Sequence, residues 1–146
     1  AQDLRERLNG NLRVDLVAAG SDERSADLGT QPVPSLPINR KDEAPAAELQ
    51  RFVASYPGRI LIATESAGRR EALIEQVMAA GLPVTTVGSW KEFVDPAVPA
   101  RFAITVAALE QGFALAKPAL SVLTERELLG ERAQQSRRRK RAARDP

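Results

Sequence analysis

The chain contains no cysteine and no histidine. Without cysteine there are no disulfides and no thiolate metal sites. Without histidine the usual general base near neutral pH is missing, and so is the commonest metal ligand. Ser–His and Cys–His nucleophilic catalysis are therefore both excluded. Aromatic residues are sparse, with one Trp, one Tyr and four Phe. No apolar run approaches the roughly 20 residues of a membrane span. No basic-then-apolar leader opens the chain. Ala1 in place of Met reads as a trimmed start.

What is present is enough for one domain with a real core plus tails. The chain has 146 residues, of which 43% are hydrophobic, an ordinary share for a globular protein. The net charge of +2 conceals an asymmetry: residues 132–146 hold seven Arg or Lys against one Asp, +6, which leaves −4 for residues 1–131. A tail of this kind can bind phosphates through a sequence-independent electrostatic attraction. The plainer alternative is a solvated linker, because no aromatic residue interleaves the arginines to stack on bases.

Patterning divides the chain. Gln2–Leu8 reads as a short helix ended by Asn9–Gly10, and Leu12, Val14 and Leu16 alternate as on a half-buried strand. Residues 20–45 are polar and contain Pro32, Pro34, Pro37 and Pro45, the composition of an extended linker. Leu49, Phe52, Val53 and Tyr56 form one helical face ended by Pro57–Gly58. Ile60–Ala63 is a short apolar run, as expected of a strand covered on both sides. A second helix follows, capped by Ser66, with Leu73, Ile74, Val77 and Met78 as its buried stripe and Gly81 as its left-handed terminator.

Val84–Val87 reads as the next strand, and Ser89 and Glu92 have capping-box spacing around Trp90 and Phe93. Arg101–Ala107 is a third strand, 108–117 a loop containing Gly112, and Leu120–Leu123 a fourth strand. Thr124 and Glu127 repeat the capping-box spacing. Strands alternating with helices predict a small three-layer α/β domain with a mostly parallel three- to four-stranded sheet. The expected divisions are residues 1–20, the end of a preceding module; 21–44, the linker; 45–131, the α/β domain; and 132–146, the basic tail.

Few motifs carry chemistry. The turn from Ala63 to Arg70 holds one glycine and no lysine, so it is neither a P-loop nor a dinucleotide fingerprint. Glu65 and Glu125 both follow strand ends and can share one sheet edge, where paired carboxylates can do acid–base work or hold Mg²⁺. Arg69, Arg70 and Arg126 stand close enough in sequence to make ordinary ion pairs with them instead. Trp90 can anchor a partner or cover one end of the sheet.

Several segments taken together resemble bacterial transcription-repair coupling factor. They are Leu28–Gly29–x–Gln31–x–Val33–Pro34–x–Leu36, Ala44–Pro45–x–x–x–Leu49–x–Arg51–Phe52, Glu65–Ser66–x–Gly68–Arg69–Arg70–Glu71–Ala72–Leu73, Leu109–Glu110–Gln111–Gly112–Phe113 and Leu128–Leu129–Gly130–Glu131–Arg132. The resemblance spans about residues 28–141, while residues 1–20 resemble only loosely the end of the family's UvrB-like N-terminal module. It implies the small α/β domain between that module and the RNA polymerase-interacting module.

For the parent it implies a cytoplasmic, ATP-hydrolysing, helicase-like DNA translocase. Such a protein displaces RNA polymerase stalled at DNA damage and recruits UvrA for nucleotide excision repair. ATP and Mg belong to the parent's motor domains, so no cofactor and no metal are expected in this segment. The expected partners are neighbouring domains of the same protein, with RNA polymerase, UvrA and double-stranded DNA for the parent and no membrane. The isolated segment is expected to be a monomer.

Three readings follow. A non-catalytic interaction domain would expose candidate contacts at Glu65, Arg69, Arg70, Trp90, Glu125, Arg126, Glu131 and Arg132. A DNA-contacting module would use Arg137, Arg138, Arg139, Lys140 and Arg141. A vestigial ligand-binding domain would show a concave pocket containing Glu65 and Glu125.

Overall fold

The computed structural model describes residues 29–39 and 44–129. Their strands are β1 (Thr30–Gln31), β2 (Arg59–Thr64), β3 (Thr85–Thr86), β4 (Phe102–Val106), β5 (Phe113–Leu115) and β6 (Leu120–Thr124). The helices are α1 (Ala47–Ser55), α2 (Ala67–Ala79), α3 (Trp90–Val94) and α4 (Glu125–Leu129). One sheet holds all six strands in the order β1-β5-β6-β2-β4-β3. The pairs β6–β2, β2–β4 and β4–β3 are parallel, whereas β5–β6 and β1–β5 are antiparallel.

The α/β class and the parallel centre match the expectation, but the sheet is wider than four strands. Its antiparallel margin, β5 and β1, falls in the stretches 108–117 and 21–44 whose composition predicts loop and linker. Phe113–Leu115 becomes a strand by folding back on β6, with Phe113 opposite Val122. Thr30 and Gln31, both exposed, join through backbone pairing with Leu115 and Ala114. The extended lead-in is held further along as well: Leu36 is buried, and its N–H donates to the Glu127 carbonyl at 2.9 Å. The Ile38 N–H donates to the Leu128 carbonyl at 2.8 Å. The expected helix at Gln2–Leu8 and strand at Leu12–Leu16 lie outside the described residues.

Alternation along the strands sorts two cores. Ile60, Ile62, Ile104 and Leu123 face Leu49 of α1, Leu73 and Val77 of α2, and Leu128 of α4. Leu61, Ala63, Ala103 and Val122 face the other way, toward Phe93 and Val87. Met78 falls outside the buried stripe, at 59% exposed, since α2 presents only its Leu73–Val77 line fully to the sheet. The predicted strand at Val84–Val87 shrinks to two residues at the sheet edge. Gly81 has φ +74°, the left-handed terminator expected of it.

The second face is thinly covered. α3 has only five residues, and the loop after it is tied down by Arg59 at the start of β2. The Arg59 guanidinium donates to the carbonyls of Ala100 (3.0 Å), Val98 (3.1 Å) and Asp95 (3.3 Å), and sits 4.6 Å from the centre of the buried Phe93 ring. This part-buried cation–π and hydrogen-bond set holds the lower half of that face. The upper half, over the C-terminal ends of the strands, has no helix above it among the described residues.

Candidate functional site

In an open parallel sheet a ligand sits beyond the C-terminal strand ends, which here are Thr64, Val106 and Thr124. The structure brings Glu65 and Glu125 together at that edge, through Arg69. Glu125 is 7% exposed. One of its oxygens accepts from the Glu65 backbone N–H at 3.0 Å, and the other pairs with the Arg69 guanidinium at 2.5 Å. Arg69 also reaches the Glu65 carboxylate at 3.8 Å. A buried carboxylate needs such partners to stay charged. Glu125 therefore fastens the start of α4 to the β2–α2 turn.

The other predicted residues are placed differently. Arg70 pairs with Glu71 at 2.8 Å on the exposed side of α2, a contact worth about 0–1 kcal/mol. Arg126 is half-buried on α4, and its backbone N–H donates to the Thr124 hydroxyl at 3.3 Å. Ser66 has the extended backbone of a helix cap, yet its hydroxyl accepts no capping bond. Trp90 is 45% exposed, its ring 6.0 Å from that of Phe93. Glu131, Arg132 and Arg137–Arg141 lie outside the described residues.

Both capping boxes form. The Glu92 N–H donates to the Ser89 hydroxyl at 3.2 Å, while the Glu92 carboxylate accepts from the Gly88 N–H at 2.7 Å. Glu127, 7% exposed, does more than close its box. It accepts the Thr124 N–H and hydroxyl, each at 2.7 Å, and the Gly112 N–H at 3.3 Å. It thus joins helix α4 to the 107–112 loop. Gly112 is required there because a β-carbon would lie 2.5 Å from the Val122 carbonyl oxygen. The Thr-x-x-Glu spacing revealed the cap, but no local signal could announce the link to Gly112, 15 residues earlier.

Two surface concavities lie elsewhere among the described residues, and neither is lined by Glu65 or Glu125. One is an open groove beside β3, floored by Leu82, Val84 and Phe102. The other, about 250 Å³, lies on the thin face between Trp90 and Phe113. Among the described residues no group of three or more His, Cys, Asp or Glu could hold a metal ion. No helix among them is long and apolar enough to cross a membrane. Burial raises the Tyr56 phenol pKa above its ordinary value; that hydroxyl contacts Leu115, at the opposite end of the strands.

The chain is similar to two curated proteins of the same name. It is 27% identical over 147 residues to the transcription-repair-coupling factor of Haemophilus influenzae, covering 99% of this chain and 12% of that protein. It is 30% identical over 122 residues to the transcription-repair-coupling factor of Escherichia coli K12, covering 84% of this chain and 10% of that protein. The chain thus spans about a tenth of the length of these relatives. The family model described as "MFD, D3 domain" matches residues 52–128, from the middle of α1 to Leu128 of α4. With more than half of its residues inside that match, the chain belongs to the MFD D3 domain family, a domain of transcription-repair coupling factors.

Proposed function

We propose that the chain is a non-catalytic docking and spacing domain within a longer transcription-repair coupling factor. The observation that supports this most directly is how the strand-end edge is used. Glu125, Arg69 and the Glu65 backbone satisfy one another there, so the carboxylates that a substrate or metal would call on serve to hold two helix starts together. On this reading the parent is a cytoplasmic, ATP-dependent DNA translocase that displaces stalled RNA polymerase and recruits UvrA. Its ATP and Mg are held by other modules. This domain stands between the UvrA-binding and polymerase-binding parts, and the isolated chain is a monomer.

The purified chain is expected not to hydrolyse ATP, since it has no P-loop, and Arg69, beside the strand-end turn, is paired with Glu125 rather than free to clamp a γ-phosphate. Phosphate release from ATP is the measurement. Turnover that persists through further chromatography and disappears in Glu65→Gln or Arg69→Met would overturn the non-catalytic reading.

The tail supports a second reading, contact with DNA, through its +6 charge. Binding by the whole chain should be weak and indifferent to sequence. If all six net charges met phosphates, affinity would fall about 10³-fold between roughly 50 and 200 mM salt. A chain ending at Arg132 should lose this binding in the same titration. Equal binding by both forms would refute a role for the tail.

A further inference from the structure

We propose that the lead-in strap, residues 29–39, and helix α4 form a single latch. It opens and closes as one unit, so the connection into the domain is coupled to the connection out of it. The proposal rests on the spacing role above and supplies a means of controlling that spacing.

Helix α4 is too short to stand alone. Its five residues are far fewer than the roughly 12–15 an isolated helix needs. The last carbonyls of any helix also lack partners within it. Here the strap supplies them. The Leu36 N–H donates to the Glu127 carbonyl at 2.9 Å, and the Ile38 N–H to the Leu128 carbonyl at 2.8 Å. Pro37, between them, has no N–H to leave unpaired. The side chains repeat the backbone pairing. Leu36 is 4% exposed and shares a core with Leu128, and Val33 and Ile38 pack against the same core.

A third segment joins them. A β-carbon on Gly112 would stand 2.7 Å from a Val33 methyl and 2.9 Å from a Glu127 carboxylate oxygen. Strap, helix and the loop before β5 therefore meet at one residue, whose N–H Glu127 accepts. Two residues on, Ala114 pairs with Gln31 of the strap. Lifting the strap strips α4 of two carbonyl partners and opens the Glu127–Gly112 contact to water. Lifting α4 strips both strap amides of their acceptors. Glu125, fastened to the β2–α2 turn, is the pivot about which the rest of α4 moves.

The strap is built to release before the sheet does. Within it only Leu36 is buried, Val33 and Ile38 are half-buried, and the rest is exposed. Its regular pairing is limited to Thr30–Gln31. Segments with so few buried contacts open below the free energy of the core. Pro32, Pro34 and Pro37 restrict the backbone of the released strap, which lowers the entropy lost on redocking. Strands β6, β2 and β4 lie inside the sheet and stay closed.

Hydrogen exchange on the 146-residue chain, at rising but sub-denaturing urea, tests the latch. The amides of Leu36, Ile38, Gly112 and Leu129 should share one opening free energy and one urea dependence, both below those of Ile62 in β2. Leu36→Ala should speed exchange at Gly112 and Leu129 by the same factor as at Ile38, about tenfold or more. Glu127→Gln should act in reverse, speeding Leu36 and Ile38 together with Gly112. Ile62 remaining slowest shows that the sheet of each variant is folded. Should a variant fail to fold, the four amides of the unaltered chain decide the matter. Strap amides that accelerate while Gly112 and Leu129 do not would overturn the latch. So would a Leu129 amide that opens only together with Ile62.

In the full-length parent, Leu36→Ala should raise the radius of gyration measured by X-ray scattering, because the flanking modules lose their fixed spacing. An unchanged radius alongside coupled exchange would leave the latch standing and overturn the spacing role.

Discussion

Gly58→Ala is expected to destabilise the chain by about 3 kcal/mol or more, at or beyond the upper end of overpacking costs. A β-carbon at this position would lie 1.9 Å from the Ala119 carbonyl oxygen and 2.4 Å from its carbon. The obstacle is backbone, so no side chain can swing aside. The same carbonyl accepts the Arg59 N–H at 3.2 Å, and that contact opens the parallel pairing of β2 with β6, Arg59 opposite Leu120. Making room at Gly58 therefore pulls apart the two central strands where they begin. Gly68→Ala is the control. Gly68 lies within α2 with nothing near its missing β-carbon, and alanine there should stabilise by about 0.5–1 kcal/mol. Urea melts of the two variants against the parent chain measure both. A Gly58→Ala chain as stable as the parent would mean that β2 and β6 do not approach so closely.

Gly58 also illustrates what the sequence can and cannot disclose. Pro57–Gly58 marks the end of α1 plainly, because proline and glycine punctuate a chain locally. That the glycine also admits a strand arriving 61 residues later is a tertiary fact with no local trace. The same division runs through the fold. β2, β4 and β6 are legible because strands buried on both faces are apolar throughout. β1 is not, since Thr30 and Gln31 are exposed polar residues, and β5 is not, since its three residues are too few to show a strand period.

At the candidate edge the sequence placed Glu65 and Glu125 beyond strand ends and Arg69 within reach. It could not say that Glu125 would be buried and matched to a backbone N–H as well as to Arg69. That second partner turns a possible catalytic pair into a fastening. Trp90 is legible as the only tryptophan, on a short capped turn that it shares with Phe93. Its half-exposure depends on α3 ending after five residues, with no other helix over the upper sheet face among the described residues.

Leu128→Ala should cost roughly 2–5 kcal/mol, the range for truncating a fully buried leucine. Leu128 is 0% exposed and packs in the core with Leu36, Leu49 and Leu123. Its backbone carbonyl also holds Ile38, so a cavity here loosens both the last helix and the lead-in strap lying against it. Leu129, only half-buried, should cost less when truncated. Thr124→Ala removes an acceptor for the Arg126 N–H and a donor to Glu127 and should cost about 1 kcal/mol. Denaturant melts of the three variants should rank Leu128→Ala as least stable, with unchanged m-values. The ranking bears on function because α4 ends the described fold and, on the proposed reading, fixes the direction in which the chain leaves toward the next module. Were Leu128→Ala as stable as the parent chain, α4 would not be packed on the sheet. Leu-Leu-Gly-Glu-Arg would then be an exposed contact for another domain.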